Sequence, residues 1–247
     1  RTSTDEGDKE ASDTAEWRSL SEYVEQKPIK QKAIYYIQGP TLKMVRNSPH
    51  LEALRSRGYE VLFLTDTIDQ WVIDSLKEFG DTPLVSALDA DLKFDEDDTD
   101  KASAREEQAS VYKGFTERIG TLLDDKIKEV RLSERLTDSP ACLVLPEGGL
   151  PSYIERLLRA NQQDLPTTKR ILEINPTHPL IQNLKALVES GHEDAAEVDG
   201  WIELLYDQAL LTEGSPIDDP AQFATRMTRL MQTAVASKVE PEAEPQA

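Results

Sequence analysis

The residues that could do chemistry are few and scattered along the 247 residues of the chain. The histidines, His50, His178 and His192, are far apart, and none has the spacing to Cys or to another His that metal sites use. His178 follows the turn-like segment Asn175-Pro176-Thr177, which favours a structural hydrogen bond over proton transfer. Cys142 lies in the apolar run 141–145, which predicts a buried, inert thiol.

Nucleotide-binding motifs are absent from the sequence. It contains neither the GxGxxG pattern of dinucleotide-binding loops nor the GxxxxGK[ST] pattern of phosphate-binding loops. The carboxylates are numerous but scattered on helical faces, where a solvated surface role is the default. We therefore predict no catalytic residue, no metal and no cofactor in this chain. A small α/β enzyme with an active site near Gly39-Pro40 or Thr65-Asp66, at the ends of two strands, stays an alternative.

Charge and composition narrow the possible partners and location. The chain has 28 Lys and Arg against 47 Asp and Glu, a formal net charge of -19, which disfavours nucleic acid and anionic membranes as partners. One cysteine allows no disulfide within the chain, and the sequence has neither a secretion signal nor a long apolar run. We expect a cytoplasmic protein. The start at Arg1, in a polar segment without Met, predicts a missing upstream portion.

Short apolar runs alternate with helical patterns in the first folded unit. This β-α-β-α-β order predicts a small three-layer α/β subdomain with a short parallel sheet. The strands are predicted at 33–37, 61–64 and 83–88, and the helices at 41–57, interrupted at Ser48-Pro49, and at 68–79. We assign residues 1–22 to a flexible lead-in and residues 23–110 to this unit with a charged linker or exposed helix at its end.

The second unit, residues 111–236, is predicted to be an α+β domain that ends in helices. Its helices are expected at 111–126, 150–161, 179–190, 198–212 and 220–236, and its strands at 130–132, 141–145 and 170–174. Residues 237–247 are acidic and broken by proline, which predicts a disordered tail.

Two helical patterns carry apolar residues that one local core does not require. In 68–79, Ile68, Val72, Leu76 and Phe79 form a stripe, and Trp71 lies roughly 95° from its centre. Trp71 either caps the local core, which the sequence alone favours, or contacts a partner.

The helical pattern 150–161 is strongly amphipathic, with a narrow stripe formed by Leu150, Tyr153, Ile154, Leu157 and Leu158. The stripe is either docked on its own domain or, because Gly148-Gly149 precedes it, offered on a flexible tether to another chain.

The last two helices present more apolar surface than one neighbour covers. Trp201, Leu204, Leu205 and Leu211 form one stripe of the first helix, while Ile202, Tyr206, Ala209 and Leu210 occupy much of the rest. Phe223, Met227, Leu230, Met231 and Ala234 form the stripe of the second. This pattern predicts an intermolecular four-helix bundle in a homodimer, with a closed bundle inside one chain as the alternative.

Several segments in order resemble the ninety-kilodalton heat-shock chaperone family. Residues 34–37, 47–54, 58–64, 69–71 and 76–79 resemble the end of its middle domain, and residues 131–141, 174–180 and 205–211 resemble its C-terminal dimerisation domain. The chain lacks the terminal Met-Glu-Glu-Val-Asp motif that recruits helical-repeat cochaperones, which favours the bacterial branch and predicts no such cochaperone.

The resemblance implies a function and a set of site residues. It implies a homodimer that binds unfolded clients for an ATP-dependent chaperone of the stress response, with ATP and magnesium bound by a domain before Arg1. The implied client-binding residues are Gln70, Trp71, Asp74, Leu150, Ile154, Leu157 and Leu158; those of the dimer interface are Trp201, Leu204, Leu205, Leu211, Phe223, Met227, Leu230 and Met231. A passive dimeric scaffold is a further alternative.

Overall fold

A buried parallel strand pair organises the first unit of the computed structural model, which describes residues 19–92, 99–160, 168–191 and 195–239. All five residues of β1 (Ile34–Gln38) are buried, and β1 pairs in parallel with β2 (Val61–Leu64) and with β4 (Thr82–Ser86). The short strand β3 (Glu78–Phe79) pairs with β4 antiparallel, so the order is β2-β1-β4-β3. The predicted parallel sheet is confirmed.

Short helices surround this sheet. They are α1 (Leu20–Gln26), α2 (Leu42–Arg46), α3 (Glu52–Ser56) and α4 (Asp69–Ser75). The interruption predicted at Ser48-Pro49 is confirmed, because a single 3₁₀ turn, Pro49–Leu51, separates α2 from α3. The core of this unit combines Tyr35, Ile37, Leu51, Leu54, Val61 and Phe63.

The helix predicted at 68–79 is wrong in its second half. α4 ends at Ser75, and Phe79 belongs to β3, which turns into β4 through Gly80. Gly80 has a φ of 59°, a left-handed conformation that a two-residue hairpin turn uses and that glycine adopts without strain. The stripe of Ile68, Val72, Leu76 and Phe79 therefore does not exist as a helix face.

The second unit packs helices on a three-stranded sheet. β7 (Arg170–Ile174) is central, parallel to β5 (Ile127–Leu132) and antiparallel to β6 (Ala141–Val144). The helices are α5 (Thr99–Leu122), α6 (Ser152–Ala160), α7 (Pro179–Glu189), α8 (Ala195–Glu213) and α9 (Pro220–Val239). The shared core includes Phe115, Ile119, Leu143, Leu172, Ile174, Ile181, Ile202 and Leu205. The predicted mixture of α and β structure is confirmed.

Some predictions stay predictions, and others concern residues outside the described part of the chain. α5 begins at Thr99, twelve residues before the predicted start at 111, and runs across the predicted boundary at 110, which stays a prediction, as does the three-layer layout. Most of the lead-in, most of the acidic tail and His192 lie outside the described residues. No helix among the described residues is long and apolar enough to cross a membrane.

Backbone hydrogen bonds join the two units. The Ala90 N–H donates to the Leu145 carbonyl and the Leu145 N–H donates to the Leu88 carbonyl, both at 2.9 Å. The buried Arg135 guanidinium donates to the carbonyls of Ala87 (2.8 Å) and Asp89 (2.7 Å). These contacts fix the end of the first unit against β6 and the loop after β5.

Glu52, the first residue of α3, makes a second connection. Its carboxylate accepts from the N–H groups of Thr137 (2.6 Å), Asp138 (2.9 Å) and Ser139 (3.1 Å), and from the Ser139 hydroxyl at 2.5 Å. Burial alone would raise the pKa of Glu52, but these hydrogen bonds outweigh it, and the net pKa is lowered. The two units therefore meet through a charged, fully hydrogen-bonded contact.

Candidate interaction surfaces

α4 turns apolar side chains outward. Trp71 is 72% exposed and Ile68 64%, and only Ile73 of this helix is buried. The Gln70 amide donates to Asp74 (2.9 Å) and accepts from Gln38 at 3.2 Å, so these polar side chains brace the helix on β1. Of the two interpretations of Trp71, its exposure argues against a core cap and leaves it available to a partner.

α6 is docked on its own chain along one side. It begins at Ser152, so Leu150 lies before the helix, half-buried like Leu158. Ile154 and Glu155 are buried, whereas Leu157 is 42% exposed. The docked alternative for this amphipathic helix is confirmed, and docking leaves part of its apolar stripe at the surface.

The structure brings α4 and α6 close to each other. Tyr153 is half-buried at the start of α6, in a small cleft of about 30 Å³ that Gln38 and Gly39 at the end of β1 also line. Burial, with a smaller contribution from the negative charge of Asp69 on α4, raises the pKa of Tyr153 to about 12. Gln38, which donates to Gln70 of α4 and lines the cleft at Tyr153 of α6, therefore adjoins both helices.

The polar residues that could have supported catalysis are either buried or engaged in a structural hydrogen bond. Burial, aided by the charge of Arg135, lowers the pKa of His50 to about 3. His178 caps α7, accepting the Leu180 N–H on Nδ1 at 3.1 Å, as predicted. Cys142 is buried, as predicted, and burial, then Glu173, raises its pKa well above the ordinary value. In the described part of the chain, no group of three His, Cys, Asp or Glu side chains is placed to hold a metal ion.

A wide apolar groove runs between α7, α8 and α9. Its volume is about 560 Å³, and its lining is apolar except for Asn183 and Gln208. The apolar lining consists of Leu180, Leu184, Leu187, Trp201, Leu204, Leu205, Leu211, Phe223, Met227 and Leu230. The groove supplies no cation or glycine-rich loop for phosphates, so its chemistry does not fit ATP.

α9 is joined to α8 by ion pairs and by partly buried apolar side chains such as Phe223 and Met227. No side chain between residues 220 and 236 is buried, and Leu230 and Met231 are 43% and 60% exposed. Arg226 forms ion pairs with Glu203 and, at 3.6 Å, with Asp207, both on α8. α9 therefore lies beside α8 with its apolar stripe only partly covered.

All the predicted dimer residues except Met231 line the groove, but Leu205 also belongs to the core. Only 2% of Leu205 is exposed, and it packs with Ile202 and Tyr206 of α8 in the interior of the second unit. It can support the floor of the groove but has little surface left to contribute to an interface. The predicted four-helix bundle itself stays a prediction.

Sequence reasoning missed a buried ionic cluster beneath α6. Arg170, at the start of β7, pairs with Glu155 of α6 at 3.2 Å and with Glu213 of α8 at 2.9 Å. Burial opposes its charge, but the two carboxylates outweigh that effect and raise the pKa of Arg170. A signal was present, because the run Arg170-Ile171-Leu172-Glu173-Ile174 places charges in a strand otherwise fit only for the core, where charges require partners.

The sequence matches one protein family and several curated relatives. The sequence model of the family described as Hsp90 protein matches residues 9–247. The chain is 51% identical over 225 residues to "Chaperone protein HtpG" of Myxococcus xanthus, covering 90% of this chain and 34% of that protein. It is 44% identical to the HtpG of Geobacter sulfurreducens over 90% of this chain and 34% of that protein, and 41% identical to that of Burkholderia lata over 93% and 35%.

The chain thus spans about a third of the length of these curated relatives. The family match covers nearly the whole chain, including both units and the α8–α9 pair. The resemblance noted in the separate sequence segments is confirmed: the chain belongs to the Hsp90 protein family.

Proposed function

We propose that this chain is the homodimerisation and client-binding part of an ATP-dependent, cytoplasmic heat-shock chaperone that assists protein folding under stress. One observation carries the proposal: α9 has no buried side chain over residues 220–236 although it borders a large apolar groove. The relatives named as chaperones support the class of function. ATP and magnesium would be bound by the part of such a protein that lies outside this chain.

The groove favours a second copy of the chain as the dimer partner. A two-fold axis beside α9 would place the exposed Met231 and Leu230 of each copy against the other and would complete a four-helix bundle from two α8–α9 pairs. Arg226 of α9 is already paired with Glu203 of α8 in the same chain, so the contact with a second copy would rest on apolar side chains.

The client-binding surface would combine α4 and α6. Trp71 and Ile68 on α4 and Leu157 on α6 offer exposed apolar side chains, and Gln70 and Asp74 offer polar groups beside them. Leu150 and Leu158 would contribute their half-exposed parts, and Ile154 would hold α6 in place from below. An unfolded polypeptide displays both apolar side chains and free backbone groups, so such a mixed surface can bind it without a specific sequence.

Light scattering tests the dimer. The purified chain should have twice the mass of one chain, and the double variant Met227→Asp/Leu230→Asp should have the mass of a single chain, because charge in the apolar groove is not solvated. Thr225→Asp/Gln232→Asp is the matched control, since both residues lie on the opposite side of α9. A double variant that stays dimeric would place the interface elsewhere.

Binding of a reduced, alkylated unfolded protein tests client recognition. Trp71→Ala and Leu157→Asp should each weaken binding by about tenfold, because each removes a central apolar contact. Ile29→Asp is the control, since Ile29 is fully exposed but lies away from α4 and α6 in the turn before β1. A wild-type dimer that does not bind the unfolded protein would instead be the passive scaffold.

A further inference from the structure

One guanidinium group contacts four separate segments beneath α6. The Arg170 Nε donates to Glu213 at 2.9 Å, and its Nη1 donates to Glu155 at 3.2 Å and to the Thr168 carbonyl at 2.8 Å. Its Nη2 donates to the Leu150 carbonyl at 3.0 Å. Arg170 therefore holds the loop before α6, α6 itself, the start of β7 and the end of α8 at the same time.

The three charged side chains are almost removed from water. The side chains of Arg170, Glu155 and Glu213 are 9%, 10% and 9% exposed. A buried charge that loses its partner carries a large desolvation penalty, and an Arg fork satisfies two carboxylates only when both stand in fixed directions. Movement of α6 away from Arg170 would leave Glu155 without its cation, so the position of α6 depends on this cluster.

The other end of the cluster reaches the α8–α9 turn. Glu213 is the last residue of α8, and its second oxygen accepts from the Ser215 hydroxyl at 2.5 Å. Gly214 has a φ of 86°, and a Cβ there would overlap the Met44 side chain of α2, so the turn also packs closely against the first unit. The direction in which α9 leaves α8 is therefore set next to Arg170.

We propose that Arg170 is a positioning residue that couples the client-binding helix α6 to the dimerisation hairpin α8–α9. The inference rests on the proposed function for the roles of the two ends. The coupling itself is a physical property of the chain: a change at either carboxylate is felt at the other, because both share one cation. A client that displaces α6 would thereby alter the turn that orients α9, and formation of the dimer would alter α6.

Hydrogen exchange on the full chain, without client, tests the coupling. Glu155→Gln should speed exchange in α6 and also in the turn 213–219, by about threefold or more, because partial loss of the cluster increases local opening. Glu213→Gln should act reciprocally and speed exchange in residues 152–160. Asp199→Asn is the matched control, since it removes a carboxylate of α8 that pairs with Arg118 of α5 and not with Arg170 or with α9.

The combined variant separates coupling from two independent effects. If the two carboxylates act through Arg170, Glu155→Gln/Glu213→Gln should speed exchange in α6 less than the product of the two single effects. Multiplicative effects, or effects confined to the element that carries each substitution, would overturn the proposal. Equal acceleration throughout the second unit would also overturn it, because that result reports general destabilisation.

Two further variants keep the test informative if single variants fold poorly. Arg170→Lys keeps the positive charge but can no longer contact both carboxylates at once. It should therefore keep slow hydrogen exchange either in α6 or in the turn 213–219, but not in both. Glu155→Met/Arg170→Met/Glu213→Met removes the three buried charges together. Such replacements of buried ion clusters by apolar residues often preserve stability in other proteins. In this variant, α6 and the turn 213–219 should exchange independently of each other. Failure of wild-type client binding would reject the proposed function while leaving this coupling result intact.

Discussion

α8 and α9 are adjacent helices of almost equal length in opposite environments. α8 has 19 residues, of which Val198, Ile202, Leu205, Tyr206, Asp207, Ala209 and Leu210 are buried, whereas α9 has 20 residues and no buried side chain over 220–236. Both carry enough apolar side chains to be core helices. The difference teaches that α8 obtains its stability from burial within its own chain, while the apolar stripe of α9 stays largely at the surface of the described chain.

α4 shows the same contrast within two turns of helix. Ile73 packs into the first unit, while Trp71 and Ile68 on the other sides are largely exposed. In α4 and in the α8–α9 pair, the exposed apolar side chains lie beside buried ones that belong to the core of the same chain.

The largest expected effect comes from comparing a core residue of α8 with an exposed residue of α9. In the monomeric background Met227→Asp/Leu230→Asp, Leu205→Ala should lower the free energy of unfolding by about 3 kcal/mol, because it opens a cavity in the core. Met231→Ala in the same background should change it by less than about 0.5 kcal/mol. Urea denaturation measures both, and a comparable cost at Met231 would abolish the contrast between the helices.

The second effect repeats the comparison on α4. Ile73→Ala should cost about 2 kcal/mol of unfolding free energy, since the side chain is buried. Trp71→Ala should cost less than about 0.5 kcal/mol, because most of the ring already faces water. Thermal unfolding followed by circular dichroism distinguishes them, and a costly Trp71→Ala would return Trp71 to the role of a core cap.

The third effect tests how α9 is attached. Arg226→Gln should lower the free energy of opening of α9 by about 1–2 kcal/mol, because it leaves the buried carboxylate of Asp207 without its cation and releases one side of α9. Arg229→Gln should cost less than about 0.5 kcal/mol, since Arg229 is mostly exposed and its pairing with Glu197 at 3.9 Å is loose. Hydrogen exchange in α9 is the measurement; equal effects would mean that apolar contacts, not charge, hold the helix.

The smallest effect concerns Glu52, whose carboxylate is engaged in hydrogen bonds, whereas Leu230 and Met231 of α9 are exposed. Glu52→Gln should lower the unfolding free energy by about 1 kcal/mol at neutral pH and leave the dimer mass unchanged.

The cost of Glu52→Gln should depend on pH. Because the pKa of Glu52 is lowered in the folded chain, its stabilisation is complete above the ordinary value of 4.5 and is lost as the pH falls through the folded value. The difference between wild type and variant should therefore close as the pH falls from about 7 to below about 4, as urea midpoints would show. A constant difference would contradict a role for the charge.

Much of the fold could be predicted because buried strands and amphipathic helices have regular periods. The parallel strands, the break at Pro49 and the cap at His178 follow from local sequence. The end of α4 could not be predicted in this way, since residues 76–79 have helical apolar spacing, and the pairing of β3 with β4 overrides it. Leu205 and Leu204 are neighbours in one apolar stripe, and only packing decides which is buried.

The sequence by itself determined the α/β class, the family and the surplus of apolar side chains on α4, α6, α8 and α9, because composition and periodicity are local properties of the chain. Tertiary structure alone decided which of those side chains remain exposed and which charges meet, as in the Arg170 and Glu52 clusters. The reason is physical: burial and ion pairing depend on contacts between residues distant in sequence, and no local pattern contains that information.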